Sequence, residues 1–272
     1  MTLENDGKKW SWEETVLAFN LYSKTQLSKI TPKNPEVLAL AELLGRKPGS
    51  VAKKMLNIGS QDPEQIKRGV KLLSHINKYD REIWERFGSD SESVVNLAVD
   101  YLAELKSTSI EEVVSEDVKN LEGFCEDIEL EIFPYGEDRE CATHARVGQY
   151  YFRMSVLSSY DYKCCVTGLT EPQLLVASHI KPWSQSNPKT ERTNPKNGLC
   201  LNSLHDRAFD RGFITINDKY EIVVSNKLKE TQMDEETRNW LMSYDHRQIV
   251  LPNKFLPAKE YIQYHNDVIF QG

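Results

Sequence analysis

The chain has 272 residues, of which 39% are hydrophobic and 28% charged, with a mean hydropathy of −0.55. That composition excludes a disordered chain, and no apolar run approaches the roughly 18 residues of a membrane span. At about 150 residues per domain the length predicts two domains, with no membrane partner. The five cysteines form no C-x-x-C pair, which argues against a disulfide framework and a Cys-rich structural zinc site. The opening Met1-Thr-Leu-Glu-Asn-Asp6 lacks a basic-then-apolar signal pattern, so the cytoplasm is the expected compartment.

The formal charge of −7 is unevenly spread. Residues 111–140 hold twelve acidic side chains and only two basic ones, whereas 1–110 and 141–272 are near neutral. The charge therefore predicts three parts: a domain over 1–110, an acidic connector over 111–140, and a domain over 141–272. A solvated connector is the simpler reading of the acidic run. A phosphate mimic that occupies a basic groove until DNA displaces it is the alternative. Basic surface on either flank stays compatible with nucleic acid.

The first hundred residues read as helical. Ser11 followed by Glu14 is a capping box, and Trp12, Val16, Phe19 and Tyr22 then recur at helical spacing. Pro35 to Leu44 predicts a second helix closed by Gly45, and Val51 to Asn57 a third, after the turn Arg46–Ser50. A further helix is expected from Glu92 to Leu105, with Val95, Ala98, Leu102 and Leu105 on one face. Arg146 to Tyr160 predicts an amphipathic helix that opens the second domain.

Two short helices joined by a Gly-containing turn are a helix-turn-helix pattern. Through Trp10, Glu13, Glu14 and the Gly45…Pro48-Gly49-Ser50-Val51 turn, this part resembles small Myb-like helix-turn-helix domains. The resemblance implies that Lys47, Ser50, Lys53 and Lys54 lie on a helix facing DNA phosphates or bases. A helical bundle with water-facing lysines is the bland alternative.

The informative segment runs from Tyr162 to Phe213. Leu174-Leu-Val-Ala-Ser-His-Ile180 reads as a strand, and alternation puts His179 on the face of Leu175 and Ala177. A polar loop with Lys181, Pro182, Trp183, Arg192, Asn194 and Pro195 follows. Asn197-Gly-Leu-Cys-Leu-Asn202 predicts a second strand, and Ser203 to Arg211 a helix stopped by Gly212. Phosphodiester hydrolysis needs a proton acceptor near neutral pH, which imidazole supplies, and a divalent cation to offset phosphate charge. Histidine, asparagine and histidine in one strand–loop–strand–helix unit meet those needs.

Residues 162–213 resemble the HNH endonucleases, the ββα-metal nucleases, and in particular a bacterial restriction-like subgroup. Cys164-Cys-Val-Thr-Gly168, Ala177-Ser-His-Ile-Lys-Pro-Trp183, Arg192-Thr-Asn-Pro-Lys-Asn-Gly-Leu-Cys-Leu201 and His205-Asp-Arg-Ala-Phe-Asp-Arg-Gly212 carry the match. The likeness extends from about Arg146 to the C-terminal Pro257–His265 helix. It implies an α+β chain, with an N-terminal helical domain and a C-terminal ββα-metal nuclease domain. His179 is then the general base, Asn197 the residue that steadies base or loop, and His205 the metal ligand on the helix. Many members carry Asp or His before the base, where this chain has Ser178, a poor ligand for Mg²⁺. The metal, Mg²⁺ or Mn²⁺, is accordingly expected on His205 with additional waters, or with Asp206 or Asp210, although Arg207 offers Asp210 a structural ion pair.

Lys181, Arg192 and Arg207 join Lys53 and Lys54 as expected DNA contacts. His75, His144, His246 and His265 are expected to be structural or exposed, and Cys164, Cys165 and Cys200 buried small hydrophobes. Trp183 is expected to pack under the loop. The function implied is a metal-dependent DNA endonuclease in restriction or phage defence. Cutting both strands at once calls for two sites, so a homodimer is an expected form. A DNA-binding regulator with a silent HNH-like domain, a metal-stabilised structural protein and an RNA substrate are the competing readings.

Overall fold

The computed structural model describes residues 3–67, 69, 76–113 and 139–272. Most of the expected acidic connector (residues 114–138) and His75 lie outside the described residues. No helix among the described residues is long and apolar enough to cross a membrane.

Helix α1 spans Trp12–Lys24, and its capping box is present: Ser11 Oγ accepts from Glu14 N, and Ser11 N donates to the Glu14 carboxylate at 2.8 Å. The same carboxylate receives two hydrogen bonds from Arg46, at 2.7 and 2.8 Å. Arg46 also donates to the carbonyls of Lys8 and Lys9, so the turn after helix α2 (Pro35–Leu43) is tied to the start of α1. Helix α3 runs Pro48–Ser60, three residues earlier than expected, because a proline at the first helical position needs no amide partner. Helices α4 (Pro63–Lys67), α5 (Lys78–Ser89) and α6 (Ser91–Lys106) complete this part. Its core packs Phe19 against Trp84 and Phe87, with ring centroids 5.1 and 5.0 Å apart.

Helix α7 (Arg139–Ser159) begins before the expected Arg146 and serves both halves. Val147 and Tyr151 enter the core of α1–α6, while Phe152 and Val156 enter the second core. Buried Lys254 adds a polar link, donating to the carbonyls of Tyr22, Ser23 and Thr25 at 2.7–2.9 Å and to Ser158 Oγ at 3.2 Å. Those carbonyls close the C-terminal end of α1, where a cation suits the helix dipole.

Strands β1 (Leu175–His179) and β2 (Gly198–Asn202) pair antiparallel, with His179 opposite Gly198 and Ala177 opposite Cys200. Helix α8 (Ser203–Asp210) packs on one face of this hairpin and α7 on the other. Burial along β1 consequently does not alternate as expected: Leu175, Ser178 and Ile180 are all buried. A second hairpin, β3 (Ile214–Ile216) and β4 (Ile222–Val224), is followed by α9 (Asn226–Lys229), α10 (Glu235–Met242) and α11 (Lys259–Tyr264). A π-turn over His265–Ile269 ends beside α8. There Gly212 has φ +68°, and a Cβ would stand 2.0 Å from the Ile269 carbonyl oxygen, so only glycine fits. His265 is buried as expected of a structural histidine. Its Nδ1 lies 2.8 Å from Thr215 Oγ1 and its Nε2 3.0 Å from the Phe209 carbonyl.

Candidate active site

His179 ends β1, stacked on Phe152 of α7 at 3.7 Å and edge-on to Trp183 at 5.5 Å. Its Nε2 lies 3.0 Å from the carbonyl oxygen of Arg192. A carbonyl only accepts, so Nε2 carries the proton and Nδ1 keeps its lone pair. Nδ1 has no hydrogen-bond partner among the described residues. Burial pushes the imidazole pKa down to about 4, against a smaller upward effect of the Arg192 carbonyl. At neutral pH the ring is therefore uncharged and able to take a proton.

The loop between the strands is organised by Asn197, which is wholly buried. Its Oδ1 accepts from Lys181 N at 2.8 Å, and its Nδ2 donates to the carbonyl of Lys181 at 3.1 Å and to Ser186 Oγ at 3.2 Å. Asn197 thus steadies the loop and makes no hydrogen bond to the His179 ring. Lys181 forms an ion pair with Glu191 at 2.6 Å, and Arg192 lies over the Trp183 ring at 5.2 Å. Both expected phosphate contacts are engaged within the loop. Trp183 packs between His179 and Arg192, as an under-loop residue does.

Helix α8 is capped by Asn202, whose Oδ1 accepts from His205 N at 3.0 Å and stands 3.1 Å from His205 Nδ1. The cap fixes Oδ1 as an acceptor, so Nδ1 bears the proton and Nε2 the lone pair. His205 is only 1% exposed, beneath Trp240 and Tyr244, and its Nε2 has no hydrogen-bond partner among the described residues. Burial lowers its pKa to about 4, with a smaller upward effect from the nearby Trp240 carbonyl.

Asp206, the next residue, points about 100° away round the helix. It faces Ser178 of β1, whose hydroxyl lowers the Asp206 pKa without completing a well-formed hydrogen bond; burial has the larger, upward effect. Asp210 follows one turn later, with its pKa raised to about 6 by partial burial and by the charge of Asp206. The expected ion pair of Arg207 with Asp210 is absent: among the described residues no such contact falls within 4 Å. Arg207 is exposed, and its charge acts on both carboxylates from a distance.

No group of three or more His, Cys, Asp or Glu side chains converges among the described residues. The chemistry of the donors still fits a hard cation. Mg²⁺ and Mn²⁺ are commonly held by one or two carboxylates, with water and substrate phosphate completing the shell. Asp206 and Asp210 are such a pair; burial is the main cause that raises both pKa values, the charge of Asp206 adds to it at Asp210, and Arg207 partly offsets both.

The structure corrects one expected DNA contact. Lys54 is 3% exposed and pairs with Asp80 inside the α3–α5 interface, so it has no surface to offer a phosphate. Lys53, one position earlier, is exposed. Lys47 is exposed but paired with Asp6 at 2.7 Å. The expected burial of Cys164, Cys165 and Cys200 is met, and Cys164 Sγ further accepts from Asn202 N at 3.3 Å. Sequence reasoning missed Asn202 and Phe152. The first had a signal, an asparagine directly before a helix; the second, an aromatic on a distant helix, had none.

No curated protein matches the chain. The family model for the HNH endonuclease matches residues 164–217, which hold His179, Asn197, His205, Asp206 and Asp210. By that match, and by the paired strands and helix that carry these residues, residues 164–217 are similar to the HNH endonuclease family.

Proposed function

We propose that the protein is a metal-dependent DNA endonuclease of restriction or phage defence, with His179 as its general base. The observation that carries this reading is the Nε2–H bond of His179 to the Arg192 carbonyl, which leaves Nδ1 as proton acceptor in a neutral ring. Asn197 acts by holding the loop that supplies that carbonyl. Asp206 and Asp210 are the residues that would hold Mg²⁺ or Mn²⁺. The bound cation would offset charge on the scissile phosphate and the leaving oxygen. His205 serves this pair by its bond to the α8 cap rather than by joining them, since its free nitrogen is enclosed under Trp240.

The helices of residues 1–110 supply target contacts in this reading, with exposed Lys53 and, beside the site, Arg207 as phosphate partners. Lys181 and Arg192 reach a phosphate only by leaving Glu191 and Trp183. Union of a helical part and a nuclease part in one chain supports the defence role. Cutting both strands in one encounter needs two sites, hence two copies of the chain on DNA.

The test is cleavage of plasmid and modified phage DNA with Mg²⁺, Mn²⁺ or EDTA, with His179→Ala alongside. Metal-dependent cutting that the variant lacks is the expected result. Binding without cutting in every metal would replace this reading with the DNA-binding regulator.

A further inference from the structure

Helix α6 belongs to the first half of the chain, with Val94, Val95, Ala98 and Val99 in the core of α1–α6. Its first turn nevertheless meets the nuclease loop. Asp90 caps the helix by accepting from Ser93 N at 3.0 Å. Glu92 N donates to the Lys189 carbonyl at 3.1 Å, and Ser91 Oγ donates to the same carbonyl at 3.2 Å. Ser91 Oγ also lies 2.7 Å from Thr193 Oγ1. A serine hydroxyl has one proton, already given to Lys189, so Thr193 is the donor in that second contact. Both hydroxyls are buried.

Thr193 is confined from its other side as well. Gly148 of α7 faces its methyl group, and a Cβ on that glycine would come within 2.9 Å of Thr193 Cγ2. Thr193 N and the Arg192 carbonyl belong to one planar peptide unit, so holding Thr193 sets the direction of that carbonyl. The carbonyl in turn takes the Nε2 proton of His179 at 3.0 Å.

We infer that Ser91 and Thr193 are a positioning pair through which the N-terminal helices hold His179 in its proton-accepting tautomer. Movement of α6 reaches the base through two hydrogen bonds and one peptide plane. The catalytic consequence rests on the nuclease reading above, but the tautomer does not.

The experiment uses the full chain with ¹⁵N-labelled histidine, His179 being assigned by its loss in His179→Ala. In the unmodified protein His179 carries its proton on Nε2. Thr193→Val, which keeps the shape of the side chain, and Ser91→Ala are expected to add the Nδ1–H form. They should also lower kcat about tenfold with KM for DNA unchanged, as for a misplaced catalytic group. Ser91→Thr should restore both. Gly148→Ala, which pushes on the threonine methyl without touching either hydroxyl, should repeat the tautomer change.

An unchanged tautomer in folded Thr193→Val overturns the inference, whether or not kcat falls. A changed tautomer in a protein that cuts no DNA keeps the positioning pair and removes the nuclease reading instead. If Ser91→Ala fails to fold, Thr193→Val decides alone.

Discussion

Asn202 joins Cys164 to His205: its amide nitrogens donate to the Cys164 sulfur at 3.3 and 3.6 Å, while its Oδ1 stands 3.1 Å from His205 Nδ1. The arrangement fixes where α8 starts and how it is turned. His205 faces inward, and Asp206 and Asp210 face Ser178 and solvent. The different orientations of His205 and the two carboxylates follow from that cap.

Replacing His179 with Ala should lower cleavage by about 10²–10⁴-fold, the usual worth of a general base. DNA affinity, read by fluorescence anisotropy, should stay within a factor of about two, because the ring bears no charge at neutral pH. Equal loss of binding and cleavage would remove His179 from the chemistry.

Asp206→Asn removes the charge that helps hold the Asp210 carboxyl up at about 6. Its pKa should therefore fall towards the ordinary carboxylate value, followed by ¹³C NMR titration. The same variant should bind Mn²⁺ at least about tenfold more weakly by calorimetry, as should Asp210→Asn. Unchanged Mn²⁺ affinity in both variants would place the metal elsewhere.

Lys53 and Lys54 should separate cleanly. Lys53→Ala is expected to reduce the salt slope of DNA binding by about one unit while leaving stability unchanged. Lys54→Ala strands Asp80 as a buried charge, and should cost about 3–5 kcal/mol in urea unfolding with no change in that slope. The reverse pattern would contradict the buried pair.

Acid should weaken the second half through His265. Its folded pKa is pushed down to about 4 by burial, against an unfolded value near 6.5. The unfolded chain binds the extra proton first, so the contribution of the neutral ring is intact above pH 6.5. It is lost as pH falls towards 4, by on the order of 3 kcal/mol. Urea midpoints at pH 7 and pH 4.5 measure it; His265→Gln should shrink the difference, and an equal difference would assign it to other groups.

Local signals read well in this chain because they act over a few residues. The Ser11–Glu14 capping box, Pro35 at a helix start, and Gly212 after α8 are all visible in sequence and all realised. Helix α5 escaped notice because its Lys78-Tyr-Asp-Arg-Glu opening is polar, and only Ile83, Trp84 and Phe87 turn inward. Alternation placed His179 on the face of Leu175 and Ala177, as the β1–β2 pairing has it, but did not give the burial of Ser178 on the other face. Alternation assumes one wet side, whereas α7 and α8 cover both sides of β1.

The sequence by itself determined helices α1, α2, α3, α6 and α7 and the strand–loop–strand–helix unit, with the identity of His179, Asn197 and His205 within it. Those depend on residue type and short spacing. Tertiary structure alone decided that Lys54 is buried against Asp80, that Trp240 covers His205, and that Ser91 meets Thr193. Each is a contact between residues far apart in the chain, set by which surfaces the packed helices bring together. No local pattern of residue types encodes it.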